Sequence, residues 1–298
     1  MKPRITVAGC ARDCGVHLDA IFDNLARLSI EYPQLSLVTV ENDSLDNTSE
    51  ILNRYSRHFL RHDIIQIPGL AKSIPIRTQR LAFIRNLIID VLHERKYSDS
   101  DYVLMIDFDE VCIRPWNIET LSRAIAFMEA DSNLAACFSN CDGHYYDLWA
   151  FRHPRVCPGD IWLDSFVHRQ KSNCTVEEAF SQEVGPKIFQ IPTTLPPFQV
   201  DSAFGGMGIY KMRALRESTS RYLGEQSIRI DTDKGPSMIR YQRCEHVPYH
   251  AGLTMQLGAK LAIFPELITQ DTHARRFIPG AMDALAIEKI SLSGSSNG

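Results

Sequence analysis

The feature that most constrains this chain is an alternation in its first 110 or so residues, where short β-branched apolar runs take turns with stretches of helical period. Residues 4–10, RITVAGC, read as a strand that turns polar at Ala11-Arg12-Asp13. From His17 to Glu31, Leu18, Ile21, Phe22, Leu25 and Leu28 recur at helical spacing, and Pro33 stops that helix. A second strand is expected over Leu35–Val40, ending in Glu41-Asn42-Asp43-Ser44. Asp46-Asn47-Thr48 then supply capping side chains for a helix carrying Ile51, Leu52 and Tyr55. A short strand over Ile64–Ile67, a long helix over about Arg77–Arg95 and a strand over Tyr102–Ile106 complete the series. This order predicts an α/β fold with a doubly wound sheet, whose ligands gather outside the carboxyl ends of the strands. Three strand ends carry polar clusters: Arg12/Asp13, Glu41/Asn42/Asp43 and Asp107/Asp109. Each alone reads as a solvated turn. Together they predict one shared site.

Other patterns narrow the function classes. Gly9 is followed only by Gly15, so neither a Gly-x-Gly-x-x-Gly nor a phosphate-cradling lysine loop follows the first strand. A formal net charge of −4 gives no footprint for nucleic acid, and none is expected as a partner. No run reaches the ~18 apolar residues of a membrane span. The apolar run after Lys2 and Arg4 is too short for a leader, being cut by Arg12 and Asp13. A cytoplasmic location is therefore expected, with peripheral association at the inner membrane surface left open. The eight cysteines make no Cys-x-x-Cys pair and are expected as reduced, mostly buried thiols.

The second half is less regular. A helix over Ile118–Ala130 and a strand over Leu134–Ser139 precede an aromatic, proline-rich passage through Tyr145, Trp149, Pro154, Trp162 and Pro196-Pro197. Such passages often form binding loops, with packed loop as the alternative. Phe204–Lys211 reads as a strand containing Gly205, Gly206 and Gly208, and the Ser/Gly-rich end reads as a tail. The expected division is a ligand-binding half over 1–115, a second half of the same domain over 116–280, and a flexible tail over 281–298.

Asp107-Phe108-Asp109 directly follows the fourth strand. The two-residue period of extended chain sends both carboxylates to one face and Phe108 to the other. Carboxylates so placed repel unless a cation intervenes, and Mg²⁺ or Mn²⁺ shared with substrate phosphates would supply one. The ordered series KPRITVAGCARDCG, LVTVENDSLDNT, QRLAFIRN, VLMIDFDEV, YYDLWAFR, FGGMGIYK and CEHVPYH resembles the GT-A fold glycosyltransferases. More closely, it resembles the capsule-associated, cryptococcal α-mannosyltransferase family, over roughly residues 3–275. Fungal members carry an N-terminal membrane anchor that is not seen here.

The resemblance implies a metal-dependent, nucleotide-sugar-dependent transferase. Its donor would be GDP- or UDP-linked, best read as GDP-mannose, with retention of configuration. Its acceptor would be a glycan or lipid-linked glycan. Ala11, Arg12 and Asp13 would border the nucleoside, and Glu41 and Asp43 suit ribose hydroxyls or base N–H groups. Arg80 or Arg85 would face the diphosphate, with a solvated helix face as the alternative, and Asn86 would contact the Asp-x-Asp loop. Asp107 and Asp109 would hold the metal with His250, His246 being the alternative ligand and His273 a weaker one. Gly205 and Gly206 would let backbone approach donor sugar and acceptor. Asp201 or Glu245 would take the acceptor proton. His246 and Trp149 would meet the acceptor; Tyr145, Tyr146 and Trp162 could stack on sugar rings or pack in the core. Competing readings are a sugar nucleotidyltransferase, disfavoured by CARDCG where a glycine-rich basic loop belongs, and a non-catalytic carbohydrate-binding protein.

Overall fold

The computed structural model describes residues 2–232, 235–272 and 288–290 of the chain. Four strands, β1 (Ile5–Ala11), β2 (Ser36–Glu41), β3 (Arg61–Gln66) and β4 (Tyr102–Ile106), pair in parallel in the order 3-2-1-4. Between them run α1 (Gly15–Glu31), α2 (Thr48–Ser56), the short α3 (Leu70–Ser73) and α4 (Arg77–Leu92). Every residue of β2 and β4 is buried, because helices cover both faces. The side chains alternate accordingly. Tyr102, Leu104 and Ile106 join α1, α2 and α5 (Ile118–Ala130) in one core. Val103 and Met105 join α4 in the other. The α/β doubly wound expectation is what the structure has, as a mixed sheet that stays mostly parallel.

The sheet continues through the second half of the chain. β5 (Leu134–Asp142), α6 (Ile161–Ser172), α7 (Val176–Glu183), β6 (Phe198–Val200), β7 (Met207–Lys211) and α8 (Met212–Glu217) follow α5. Then come β8 (Glu225–Thr232), β9 (Gly235–Gln242), α9 (His246–Leu257) and β10 (Lys260–Asp271). The full order is 3-2-1-4-7-5-10-6, with β7 antiparallel between β4 and β5. Strands from both sides of residue 115 thus share one sheet. β8, β9 and β11 (Glu288–Ile290) form a second, three-stranded sheet.

Several boundaries differ from the sequence reading. The third strand starts at Arg61, and the long helix ends at Leu92 before a short turn of 3-10 helix over Arg95–Tyr97. The aromatic, proline-rich passage holds α6 and α7, each started by a side-chain cap, Asp160 and the Thr175/Glu178 capping box. The strand expected over Phe204–Lys211 begins only at Met207, because Gly205 and Gly206 take positive φ. Within the expected tail, Glu288–Ile290 is a strand paired to β9. The remainder of 281–298 lies outside the described residues, as does His273. Six cysteines are buried and Cys10 and Cys174 half-buried, all as free thiols. Among the described residues no helix is long and apolar enough to cross a membrane.

At the end of the sheet away from the polar strand ends, Asp99 accepts a bidentate pair from Arg61, at 2.5 and 2.7 Å, and a further bond from Arg4. Arg61, and then Arg4, hold its carboxyl down at about 2. Its folded-state pKa is depressed, so its contribution is present above the unfolded value near 4 and fades as pH falls toward 2. Asp99→Asn is expected to cost on the order of 1 kcal/mol at pH 7, discounted for partial solvation, and only a fraction of that at pH 2, where the carboxyl is half protonated. Denaturant unfolding of both proteins at the two pH values measures it.

Candidate active site

A cavity of about 810 Å³ opens at the carboxyl ends of β1 and β4. That is within the range of small-molecule and cofactor sites. Asp107 and Asp109 line it, and Phe108 between them borders it too while packing near Phe22. Burial first, and the neighbouring Asp109 charge second, push the Asp107 carboxyl up to about 7 against the pull of Arg85. Burial also raises Asp109, although its side chain caps the backbone N–H of Val111 at 3.0 Å.

Arg85 is buried on the cavity wall and reaches two carboxylates. Its Nε donates to Glu245 at 2.9 Å and its Nη2 to Asp107 at 3.1 Å. Its guanidinium lies 5.0 Å from the Phe204 ring centre, and its Nη1 has no protein partner. Burial opposes its charge, yet the Cys10 thiol, Glu245 and Asp107 outweigh burial and raise its pKa. Arg12, Arg77 and Arg80 line the same cavity. Arg80 donates to the carbonyls of Ile74 and Pro75, and its pKa is lowered by burial and by the charges of Arg12 and Arg77. The cavity therefore carries buried acids on one part and crowded guanidinium groups on another.

Ala11, Arg12, Asp13, Arg80, Arg85, Asp107, Asp109, Trp149, Glu245 and His246 all border the cavity. His246 is 2% exposed, stacks on Phe204 with ring centres 4.0 Å apart, has no hydrogen bond at either nitrogen, and holds Nε2 3.8 Å from the Glu245 carboxylate. Burial, then Arg85 and His250, hold its pKa well below the usual histidine value.

Other expected residues sit elsewhere. Asp201 is exposed at a bridge to Arg152, its amide on the Arg152 carbonyl, and does not line the cavity. Glu41 accepts from the Ser44 amide, shaping the turn after β2. Asp43 accepts from the amides of Gly69 and Ala71 and anchors α3. Asn86 clamps both backbone groups of Tyr222, at 2.9 and 3.0 Å, and turns away from the Asp-x-Asp loop. His250 is fully buried between Ser202 and Tyr210, each 2.8 Å from a different ring nitrogen. Burial first, and then Arg85, push its pKa down to about 3. With both nitrogens occupied and the ring off the cavity, His250 is a core histidine.

Gly205 and Gly206 are also placed differently from expectation. A Cβ on Gly206 would stand 2.1 Å from Val111, and one on Gly205 2.7 Å from the Ser139 carbonyl. Their freedom serves protein packing. The Gly206 carbonyl accepts the Asp107 amide at 3.0 Å, and the Gly205 amide donates to Asp147 at 3.1 Å.

Sequence reasoning missed Asp147 and Arg77, both on the cavity. Asp147 lies inside the YYDLWAFR run of the motif series, and Arg77 opens α4 one turn before Arg80.

Among the described residues no three His, Cys, Asp or Glu side chains gather as a ready metal cage. Asp107 and Asp109 nevertheless fit a hard cation. Two half-buried carboxylates keep spare lone pairs, and water and substrate phosphate oxygens would complete the ligand set.

No protein-family model matches the chain, and a search of curated proteins finds no match. Solved structures resemble it over most of its length at low identity. A mannosyltransferase from Pyrobaculum calidifontis, in complex with GDP-Man and Mn²⁺, is 15% identical, with 91% of this chain and 57% of that one covered and a TM-score of 0.49. S. aureus TarS 1-349, in complex with UDP-GlcNAc, is 14% identical, covering 93% and 60%, with a TM-score of 0.47. Glucosyl-3-phosphoglycerate synthase from Mycobacterium tuberculosis is 11% identical, covering 90% and 69%, with a TM-score of 0.41. This chain thus spans less than two thirds of the first two.

Two substitutions separate core from site. His250→Gln should lower stability by roughly 1–3 kcal/mol, leaving Ser202 or Tyr210 unpaired, with Mn²⁺ affinity unchanged. Gly206→Ala should cost about 1–3 kcal/mol through strain and, by displacing the Asp107 loop, weaken Mn²⁺ binding as well. Chemical denaturation and metal titration read the contrast.

Proposed function

We propose that this chain is a metal-dependent glycosyltransferase of the GT-A fold. It would transfer a hexose, with GDP-mannose as the best donor, to a glycan or lipid-linked glycan with retention of configuration. The observation that carries the reading is one cavity holding Asp107 and Asp109 at the end of β4 together with Arg12, Arg77 and Arg80. A nucleoside diphosphate sugar joins a poly-anionic diphosphate to a neutral polyhydroxyl ring, and such a cavity has groups for both. Residues 1–115 would bind the nucleotide and 116–280 the acceptor. A cytoplasmic site of action, or one at the inner membrane surface, belongs to the same proposal.

Asp107 and Asp109 would hold Mn²⁺ or Mg²⁺, which when bound neutralises charge on the departing diphosphate. The Arg80 and Arg77 forks match phosphate oxygens and would fix the leaving group, with Arg12 and Asp13 beside the nucleoside. Arg85 holds Asp107 in place and leaves Nη1 as a further donor toward the ligand. The same guanidinium orients Glu245, which would accept the proton of the incoming hydroxyl. His246 would contact the acceptor as a neutral ring.

Donor hydrolysis and transfer with Mn²⁺ across GDP- and UDP-sugars tests the reading. Asp107→Ala and Asp109→Ala are each expected to lose about 100-fold or more in kcat/KM. Wild-type-like turnover in either variant would sink the assignment. Pyrophosphate release from a nucleoside triphosphate and a sugar phosphate would instead favour a nucleotidyltransferase. Glycan binding without nucleotide or metal affinity would favour a binding protein. Arg80→Ala should raise the Kd for GDP about tenfold, as isothermal titration would show.

A further inference from the structure

Asp147 is a cavity carboxylate to which the mechanism above gives no task. Its Oδ2 accepts the Gly205 amide at 3.1 Å and its Oδ1 the Ala150 amide at 3.3 Å. A carboxylate offers about four acceptor positions, so these bonds orient Asp147 without exhausting it. One of the two donors is itself fixed, because Gly205 has a φ of 68° and no room for a Cβ beside Ser139. Around Asp147, Tyr146, Trp149 and Trp162 line the same cavity. The Trp149 indole nitrogen is buried without a partner, as is Nδ1 of the neighbouring His144. An indole N–H can only donate, and a buried donor left unpaired carries a cost that a ligand acceptor would relieve.

Flat apolar rings, a carboxylate with spare lone pairs and an unpaired N–H donor match one ligand chemistry well. A pyranose ring has apolar C–H faces, hydroxyls that donate and oxygens that accept. We propose that Asp147 and Trp149, with the rings of Tyr146 and Trp162, form a hexopyranose subsite. In it Asp147 accepts a hydrogen bond from a ring hydroxyl, and the Trp149 N–H donates to a sugar oxygen. This rests on the glycosyltransferase reading only for where the sugar comes from, which is either the donor or the acceptor. A purely structural Asp147, tying residues 147–150 to Gly205, is the competing account.

Tryptophan fluorescence of the full chain with Mn²⁺, titrated with GDP, GDP-mannose, UDP, UDP-GlcNAc and free mannose, decides between them. Asp147→Asn is expected to weaken sugar-bearing ligands tenfold or more while moving nucleoside diphosphates less than twofold, with Tm reported alongside. Trp149→Phe keeps the ring and deletes the N–H; it should show the same pattern at about threefold, and it decides the matter if Asp147→Asn does not fold. A loss confined to the nucleotide sugars assigns the subsite to the donor. A loss confined to free mannose, or to the acceptor KM in transfer, assigns it to the acceptor. Sugar binding at wild-type strength in both variants overturns the subsite, as does parallel loss of nucleoside diphosphate and sugar ligands. So does a wild-type chain that responds to no sugar. A chain that binds mannose but no nucleotide would keep the subsite while defeating the proposed function.

Discussion

The arrangement around the cavity depends on one buried cation. Arg85 sits on α4 beside Leu81 and Ile84 of the cavity wall, and it reaches Asp107 just after β4 and Glu245 at the start of α9. Removing an arginine from water is costly, and carboxylates alone at this depth would repel one another. Each party is tolerable only because the others are present. The consequence is geometric. The end of the central strand, the long helix and the last helix are held in fixed relation by charge rather than by packing alone. The remaining negative charge of Asp107 and Asp109 faces a cavity rather than a protein partner.

A second tie runs through backbone. Gly205 and Gly206 lie where the chain bends into β7, and the bend serves two carboxylates at once: its carbonyl holds the Asp107 amide, and its amide holds Asp147. Side chains at either glycine would collide with Ser139 or Val111. The glycines therefore act on the cavity from behind, through the groups that line it.

What sequence revealed follows from what period and polarity can encode. The first four strands and their helices were legible because buried parallel strands are continuous apolar runs and α1 keeps a clean helical stripe. The two-residue period also indicated that Asp107 and Asp109 lie on one cavity, although Phe108 borders it as well. The second half was harder, since α6 and α7 are short, weakly patterned and marked mainly by their caps. Within the cavity, residue type could not separate His246 from His250, which lie one helical turn apart on α9. Only packing decides that Ser202 and Tyr210 hydrogen-bond one ring while no hydrogen bond reaches the other. Asp201, Glu41, Asp43 and Asn86 show the same limit. A polar residue near a strand end or on the long helix is as useful for building a turn or clamping a neighbour as for meeting a ligand.

The position of β7 bears on how the chain reaches this state. β4 is complete by Ile106 and β5 by Asp142, yet the strand that joins them arrives only at Met207–Lys211. Until it docks, both strands present unpaired edges, and the Asp107 amide lacks its acceptor on Gly206. The four-stranded parallel half can form from contacts within the first 106 residues, whereas closing the gap requires a pairing about a hundred residues distant in sequence. Docking of β7 thus closes the gap between β4 and β5 and supplies the Asp107 amide with its acceptor in the same step. During synthesis the chain would pass through a period with an open sheet edge and an unfinished cavity, in which its demand for protection from association is greatest.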